Sequence, residues 1–162
     1  MTDTTTDATS VSFDVTVDVA QAEAFRVFVE DFGSIKPKNH NLLTADIAET
    51  VIEPRAGGAV YDRGVDGSTC QWGRVLAIEP PARLVLAWDI SPQWQIQSDP
   101  ALASEVEVRF VEAGPDRTRV ELTHRHLDRH LDGWRQVRDG VAGDQGWPLY
   151  LRRYAELTGG LS

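Results

Sequence analysis

The sequence has only one cysteine, Cys70, in 162 residues, and it has no long apolar run. A single cysteine excludes an intramolecular disulfide and any zinc site built from several thiolates. No stretch approaches the 18 apolar residues of a membrane-spanning helix, and the N-terminus lacks the basic and apolar regions of a signal peptide. We therefore expect a cytoplasmic protein without membrane insertion.

Basic residues are also scarce relative to acidic ones. Lys and Arg number 16 against 25 Asp and Glu, which gives a formal net charge of −9 at pH 7. Nucleic acids and anionic membranes are bound through clustered Lys and Arg, so we expect neither as a partner. Phosphate-binding, dinucleotide-binding and nucleophile-elbow motifs are absent from the sequence. The spacing of His124, His126 and His130 matches no metal site, and we predict no metal and no cofactor.

What the sequence does contain suits one folded unit. A chain of this length with 41% hydrophobic residues fits a single domain with one core. Residues 1–10, MTDTTTDATS, are small and polar and are predicted to form a disordered tail. Residues 11–160 are predicted to form the domain.

Seven segments alternate apolar and polar residues or are bounded by turn signals, as strands do. Asp66-Gly67, Pro80-Pro81 and Gly114-Pro115-Asp116 are turn sequences between neighbouring segments. The predicted strands are 11–17, 45–53, 59–64, 70–79, 83–90, 105–110 and 119–124. In the last two, the charged face is expected to be solvated and the apolar face to be interior.

Helical periodicity occurs on both sides of this strand region. After the first strand, Asp18 and Gln21 have the spacing of a capping box, and the apolar face that follows ends at Gly33. Residues 33–43 are expected to form a loop or a short broken helix, and 131–141 a short helix. The last helix is predicted over 144–157, and its apolar stripe consists of Trp147, Tyr150, Leu151, Tyr154 and Leu157.

The ends of this last helix are marked by sequence. Asp144 is the predicted N-cap, Pro148 falls in the first turn, and Gly159-Gly160 provides a stop. The resulting element order is β-α-α-β6-α. It predicts an α+β fold in which a seven-stranded curved antiparallel sheet wraps around a long C-terminal helix.

Together with three groups of residues, this order resembles the helix-grip superfamily. The superfamily includes START lipid-binding domains, pollen-allergen (Bet v 1-like) proteins and polyketide cyclases. The residues are Gly57-Gly58, the segment 73–88 (GRVLAIEPPARLVLAW), and Gly146-Trp147 followed by Leu151 and Tyr154. The chain is most similar to the branch named after the activator of Hsp90 ATPase homologue, over residues 11–158. In the co-chaperone itself this domain is joined to a separate Hsp90-binding domain, so Hsp90 activation is not the leading expectation.

The resemblance implies a cavity between the sheet and the last helix that takes an apolar or amphipathic small molecule. Loops 33–44 and 91–100 are long enough to gate it. By strand parity and helix periodicity, the residues expected to line the cavity are Phe28, Tyr61, Arg63, Trp72, Arg74, Trp88, Val108, Phe110, Leu122, His124, Trp147, Leu151 and Tyr154. The side of the sheet on which Trp72 lies is left open by parity.

Several of these residues have two interpretations. His124 can donate a proton to a ligand or be a core histidine with a protein partner. Tyr61, Arg63 and Arg74 can orient an anionic ligand or lie on the solvated face. Each tryptophan suits a core as well as a cavity, and Cys70 can be a nucleophile or a packing residue.

Three functions follow from these alternatives. The first is a non-enzymatic small-molecule binding protein. The second is a cyclase, dehydratase or hydrolase that uses His124 with Arg63 or Arg74. The third is a chaperone-associated or other protein-interaction module, monomeric or homodimeric.

Overall fold

The computed structural model describes residues 9–159 of the chain. The predicted N-terminal tail lies outside the described residues except for its last two positions, as does Gly160 of the predicted helix stop. The strands are β1 (Val11–Val17), β2 (Ile47–Ile52), β3 (Ala59–Gly64), β4 (Thr69–Glu79), β5 (Arg83–Trp88), β6 (Ser104–Gly114) and β7 (Arg117–Arg125). The helices are α1 (Gln21–Glu30), α2 (Phe32–Ile35), α3 (Trp134–Ala142) and α4 (Trp147–Leu157).

The seven strands form one antiparallel sheet in the order β1-β7-β6-β5-β4-β3-β2. The first strand therefore pairs with the last, and the sheet curls into a half-barrel that faces α4. This is the α+β helix-grip fold that the element order predicted. Among the described residues, no helix is both long and apolar enough to span a bilayer.

The sheet departs from ideal register at bulges that periodicity could not locate. In the pairing of β3 with β4, the register shifts between Val60 and Tyr61, which leaves Trp72 as the extra residue. A second shift, between Val75 and Ala77, interrupts the pairing of β4 with β5. Because a bulge breaks the period-2 alternation, Trp72 and its near neighbour Gly73 both lie on the buried side of β4.

Both predicted N-terminal helix caps, Asp18 and Asp144, are wrong. The N-cap of α1 is Ala20, while Asp18 lies beside Arg117 at 3.7 Å. Gln21 forms no capping box because its side-chain amide donates to the carbonyl of Phe110 at 2.8 Å. The N-cap of α4 is Gly146 rather than Asp144, so this helix begins at Trp147.

Most of the space between sheet and helices is filled with side chains. Phe28 makes edge contacts with Phe110 at 5.8 Å and with Tyr154 at 5.4 Å between ring centroids. The buried hydroxyl of Tyr154 donates to the carbonyl of Ala24 at 2.6 Å, which ties α4 to α1. This end of the interior is therefore a packed core, and any cavity must lie elsewhere.

The outer face of β6 and β7 is charged, as expected, but its charges are paired. Glu107 accepts hydrogen bonds from Arg83 at 2.5 Å and Arg125 at 3.2 Å. Glu105 accepts from Arg125 and from Arg129, at 3.0 and 3.1 Å. A planar guanidinium can donate to two carboxylates at once, as Arg125 does to Glu105 and Glu107. Lysine does not offer this geometry.

Candidate functional site

A cavity of about 420 Å³ opens beside the N-terminus of α4. Its volume falls in the range of small-molecule sites, roughly 300–1,000 Å³. One wall is aromatic and consists of Trp72, Trp88, Trp94, Trp147 and Tyr150. The rim is polar and includes Lys36, Asn39, His40, Asn41 and Gln145. The two sides thus offer stacking surface and hydrogen-bonding groups to one ligand.

The aromatic wall is held by edge-to-face contacts between rings. Trp88 lies 5.7 Å from Trp72 and 5.8 Å from Trp147, and Trp147 lies 5.2 Å from Tyr150, with interplanar angles of 64 to 69°. Such contacts each contribute about 0.5–1.5 kcal/mol beyond burial. The indole N–H groups of Trp72 and Trp88 are buried and have no hydrogen-bond partner among residues 9–159. Packing alone therefore holds Trp72 and Trp88 in place.

Trp94 covers the cavity from the loop after β5. Its backbone has φ +59°, and its side chain is 39% exposed. A Cβ placed on Gly140 of α3 would lie 2.8 Å from the Trp94 ring. Glycine at this position therefore leaves room for the indole to lie against α3.

Trp147 is held from behind by His124. The indole Nε1–H of Trp147 donates to Nδ1 of His124 at 3.1 Å. An indole nitrogen can only donate, so the ring proton of His124 is on Nε2, which donates to Ser104 Oγ at 2.7 Å. The Ser104 hydroxyl in turn donates to Nε2 of His130 at 2.8 Å. Burial lowers the pKa of His124 to about 3, so the His124 ring stays neutral in this row of hydrogen bonds at neutral pH.

The polar rim has its own network around His40. Nδ1 of His40 lies 2.8 Å from the hydroxyl of Tyr150, and the two rings stack. Lys36 donates to the backbone carbonyl of His40 and, at 3.1 Å, to the Asp62 carboxylate. Thr50 donates to the other Asp62 oxygen at 2.6 Å. A buried ion pair thus anchors the loop that carries His40 to strand β3.

The profile of the activator of Hsp90 ATPase homolog 1-like protein family matches residues 20–159. The chain belongs to this family. Within the described residues, no group of three or more His, Cys, Asp or Glu side chains is arranged to hold a metal ion. No curated protein matches the chain at a significant level.

Solved structures of similar proteins include two with substantial sequence identity. The anthrahydroquino-γ-pyrone synthase Txn09, complexed with SUM, is 36% identical, with a TM-score of 0.66, over 93% of this chain and 97% of that one. The self-sacrificing resistance protein CalC from Micromonospora echinospora is 28% identical, with a TM-score of 0.66, over 93% and 96%. Ms6760 from Mycobacterium smegmatis, 14% identical with a TM-score of 0.64 over 92% and 90%, shares the fold.

In this family member, the residues predicted to line a cavity fall into three groups. Trp72, Trp88 and Trp147 lie on the cavity wall. Six residues belong instead to the packed core, because they lie along the filled part of the sheet and helices: Phe28, Val108, Phe110, Leu122, Leu151 and Tyr154. The third group is formed by the predicted polar residues.

None of the four predicted polar residues lines the cavity. Arg63 bonds to Glu49 and to the Tyr61 hydroxyl, and Arg74 forms a two-point ion pair with Asp89 at 2.9 and 3.0 Å. His124 points inward, as its parity predicted, but both ring nitrogens are used by protein groups. The arrangement of His124 with Arg63 or Arg74 at one pocket is therefore absent from residues 9–159.

Several cavity residues were missed from the sequence, and some of them come from the two loops predicted as gates. Lys36 and His40 precede β2, and Trp94 follows β5. Loop side chains follow no period, so parity could not place them. The available signal was compositional, since residues 36–41, KPKNHN, concentrate basic and amide groups.

The remaining reactive candidate is Cys70, on β4. Its side chain is only partly buried, and burial raises the pKa of its thiol. A thiol with a raised pKa is a poor nucleophile at neutral pH. Packing is the role that its surroundings support.

Proposed function

We propose that this protein binds a planar aromatic small molecule in the cavity beside α4. The carrying observation is the wall of four indoles and one phenol around about 420 Å³. Flat ring faces of this kind gain dispersion and stacking energy from another flat ring system, whereas a flexible acyl chain would lose entropy on ordering there. An aromatic ligand therefore fits this site better than a fatty acid.

The similarity to Txn09 supports the same ligand class. That protein is 36% identical over nearly the whole of both chains, and it is described as an anthrahydroquino-γ-pyrone synthase. Fused aromatic rings with oxygen substituents are thus the ligand class that we assign to this chain.

Catalysis is a second candidate function, because that relative is called a synthase. His124 does not carry it, since both of its nitrogens are bonded and the residue is fully buried. A reaction in the cavity would use polar groups that line it, such as Lys36, His40 or Tyr150. The chaperone-associated role stays a prediction from the sequence.

A fluorescence titration tests the binding proposal. Anthraquinone, a three-ring probe without ionisable groups, is added to the protein while tryptophan emission is recorded, with palmitate as the flexible apolar comparison. We expect saturable quenching by anthraquinone, because Trp88 and Trp147 line the cavity, and a much weaker response to palmitate. Equal responses to the two probes, or none to anthraquinone, would contradict the proposal.

A further inference from the structure

The polar rim of the cavity, together with Tyr150 of the aromatic wall, carries polar side chains that the binding of a plain apolar molecule does not require. Lys36, His40 and Tyr150 all line the cavity. Lys36 is 7% exposed and Asp62 2%, so the ion pair that anchors the His40 loop is deeply buried. A buried charge is costly to keep, although pairing offsets part of that cost. Because this ion pair holds Lys36 and His40 at the cavity, a ligand bound there meets polar groups as well as the indole wall.

The hydrogen-bond geometry fixes which nitrogen of His40 can serve a ligand. Burial raises the pKa of the Tyr150 phenol, so this hydroxyl keeps its proton and donates to Nδ1 of His40. The ring proton of neutral His40 is then on Nε2. Within residues 9–159, Nε2 has no hydrogen-bond partner, which leaves an N–H donor on a cavity-lining ring.

The electrostatic surroundings select the charge of the acceptor. Burial is the main cause that lowers the pKa of the His40 imidazole, and the nearby charges of Lys36 and Arg153 lower it further. Asp62 is bound to Lys36, and Arg153 donates to the backbone carbonyls of Ser34 and Ile35. The positive charges of Lys36 and Arg153 favour an anionic acceptor at that place, whereas burial and the Asp62 carboxylate, which raise the pKa of the Tyr150 phenol, oppose one.

We propose that His40, with Lys36 behind it and Tyr150 orienting it, binds an anionic oxygen of the aromatic ligand, a phenolate or an enolate. The inference rests on the proposed function, because the indole wall must first hold the ring system. It narrows the ligand class to aromatic molecules with an acidic hydroxyl directed at the rim. Binding then releases the hydroxyl proton to solvent, so no co-reactant is needed.

The experiment uses 2-hydroxyanthraquinone, whose free hydroxyl changes the visible absorption when it ionises. The spectrum of the bound probe is titrated against pH with the wild-type protein and with His40→Phe, which keeps a ring to stack on Tyr150. We expect the wild-type protein to lower the pKa of the bound hydroxyl by about one unit or more, a tenfold or larger preference for the anion. His40→Phe should lose most of this shift, and Tyr150→Phe part of it.

Controls separate this inference from the proposed function. His126→Asn replaces an exposed histidine away from the cavity and should leave the shift unchanged. Binding of anthraquinone to the wild-type protein and to His126→Asn tests the indole wall by itself, because this probe has no hydroxyl to ionise. If anthraquinone binds but the pKa of the hydroxyl probe is unchanged, or is lowered equally in His40→Phe, the anion site is wrong. If neither probe binds, the proposed function fails and this inference fails with it.

Discussion

His124 shows how burial converts an ionisable side chain into a neutral structural one. Its pKa falls from 6.5 to about 3 because the folded protein shields it from water and places His130 nearby. Between those two values the unfolded chain binds a proton that the folded chain excludes. The stabilisation from neutral His124 is therefore complete above pH 6.5 and is lost as the pH falls toward 3.

This predicts an acid-side loss of stability that depends on one residue. Between pH 7.5 and 5, His124 alone should lower the free energy of unfolding by about 2 kcal/mol. Denaturant melts of the wild-type protein and of His124→Asn at both pH values measure it. The variant should be less stable at pH 7.5 but should lose about 2 kcal/mol less on acidification. His126→Asn, at an exposed position, should keep the full wild-type pH dependence, and a flat wild-type profile would argue against the shift.

On the regular strand β7, sequence reasoning placed individual residues on the correct face. The alternation of Val120, Leu122 and His124 correctly predicted that the histidine is inside. It could not show that Trp147, 23 positions later, donates to that ring. His40 was beyond reach for a different reason, since it lies in a loop held by side-chain contacts with Asp62 and Tyr150 that have no local signature.

The start of α4 is set by contact with the end of α3. A Cβ on Gly146 would lie 2.1 Å from the carbonyl oxygen of Val141, and it would meet backbone that no rotamer change can move. The sequence marked Asp144 as the cap because its side chain suits that role. Packing of the start of α4 against the end of α3 instead makes Gly146 the N-cap.

Gly146→Ala should therefore destabilise the protein by about 1–3 kcal/mol, the usual cost of forced overpacking. Because α4 carries Trp147 and Tyr150 of the cavity wall, tryptophan emission should also change. Gly114→Ala is the matched control, since a Cβ there would meet only Arg117 at 3.6 Å, an ordinary contact. We expect that control to change the free energy of unfolding by less than about 0.5 kcal/mol. Equal thermal melts for the two variants would show that α3 and α4 can separate easily.

The elements were predictable to different degrees for physical reasons. Strand β3 begins and ends where predicted, because Gly57-Gly58 and Asp66-Gly67 bound it with turn chemistry. Strand β6 runs four residues beyond its predicted end at Phe110, to Gly114, because pairing with β7 continues to the turn. The bulge that turns Trp72 inward depends on pairing between strands and leaves no mark in the sequence of β4 alone.

The interior as a whole is divided between a filled end and an open end. Phenylalanines fill the space around Tyr154, while tryptophans surround the cavity near Trp147. Sequence periodicity shows which side chains face inward, but whether they fill the space depends on summed volumes and loop positions. This is why six predicted cavity residues are core residues, although the fold was correctly predicted.

This division predicts that stability and binding can be changed separately. Phe110→Leu alters the filled end, where Phe110 is 1% exposed and lies 5.2 Å from Phe25 between ring centroids. It should cost about 1–3 kcal/mol of stability and leave anthraquinone affinity within about threefold. Trp94→Asn alters the open end, at a left-handed position that asparagine tolerates. It should cost less than about 1 kcal/mol of stability yet weaken anthraquinone binding about three- to tenfold, through lost stacking.

Denaturant melts and fluorescence titrations on the same protein samples measure both quantities. One variant should mainly change stability and the other mainly affinity, because Phe110 belongs to the packed core and Trp94 lines the cavity. If Phe110→Leu weakens binding as much as Trp94→Asn does, the ligand reaches into the phenylalanine core. In the complex, the cavity would then extend along α4 beyond Tyr150. If neither variant affects binding, the aromatic probe does not occupy the indole-lined cavity.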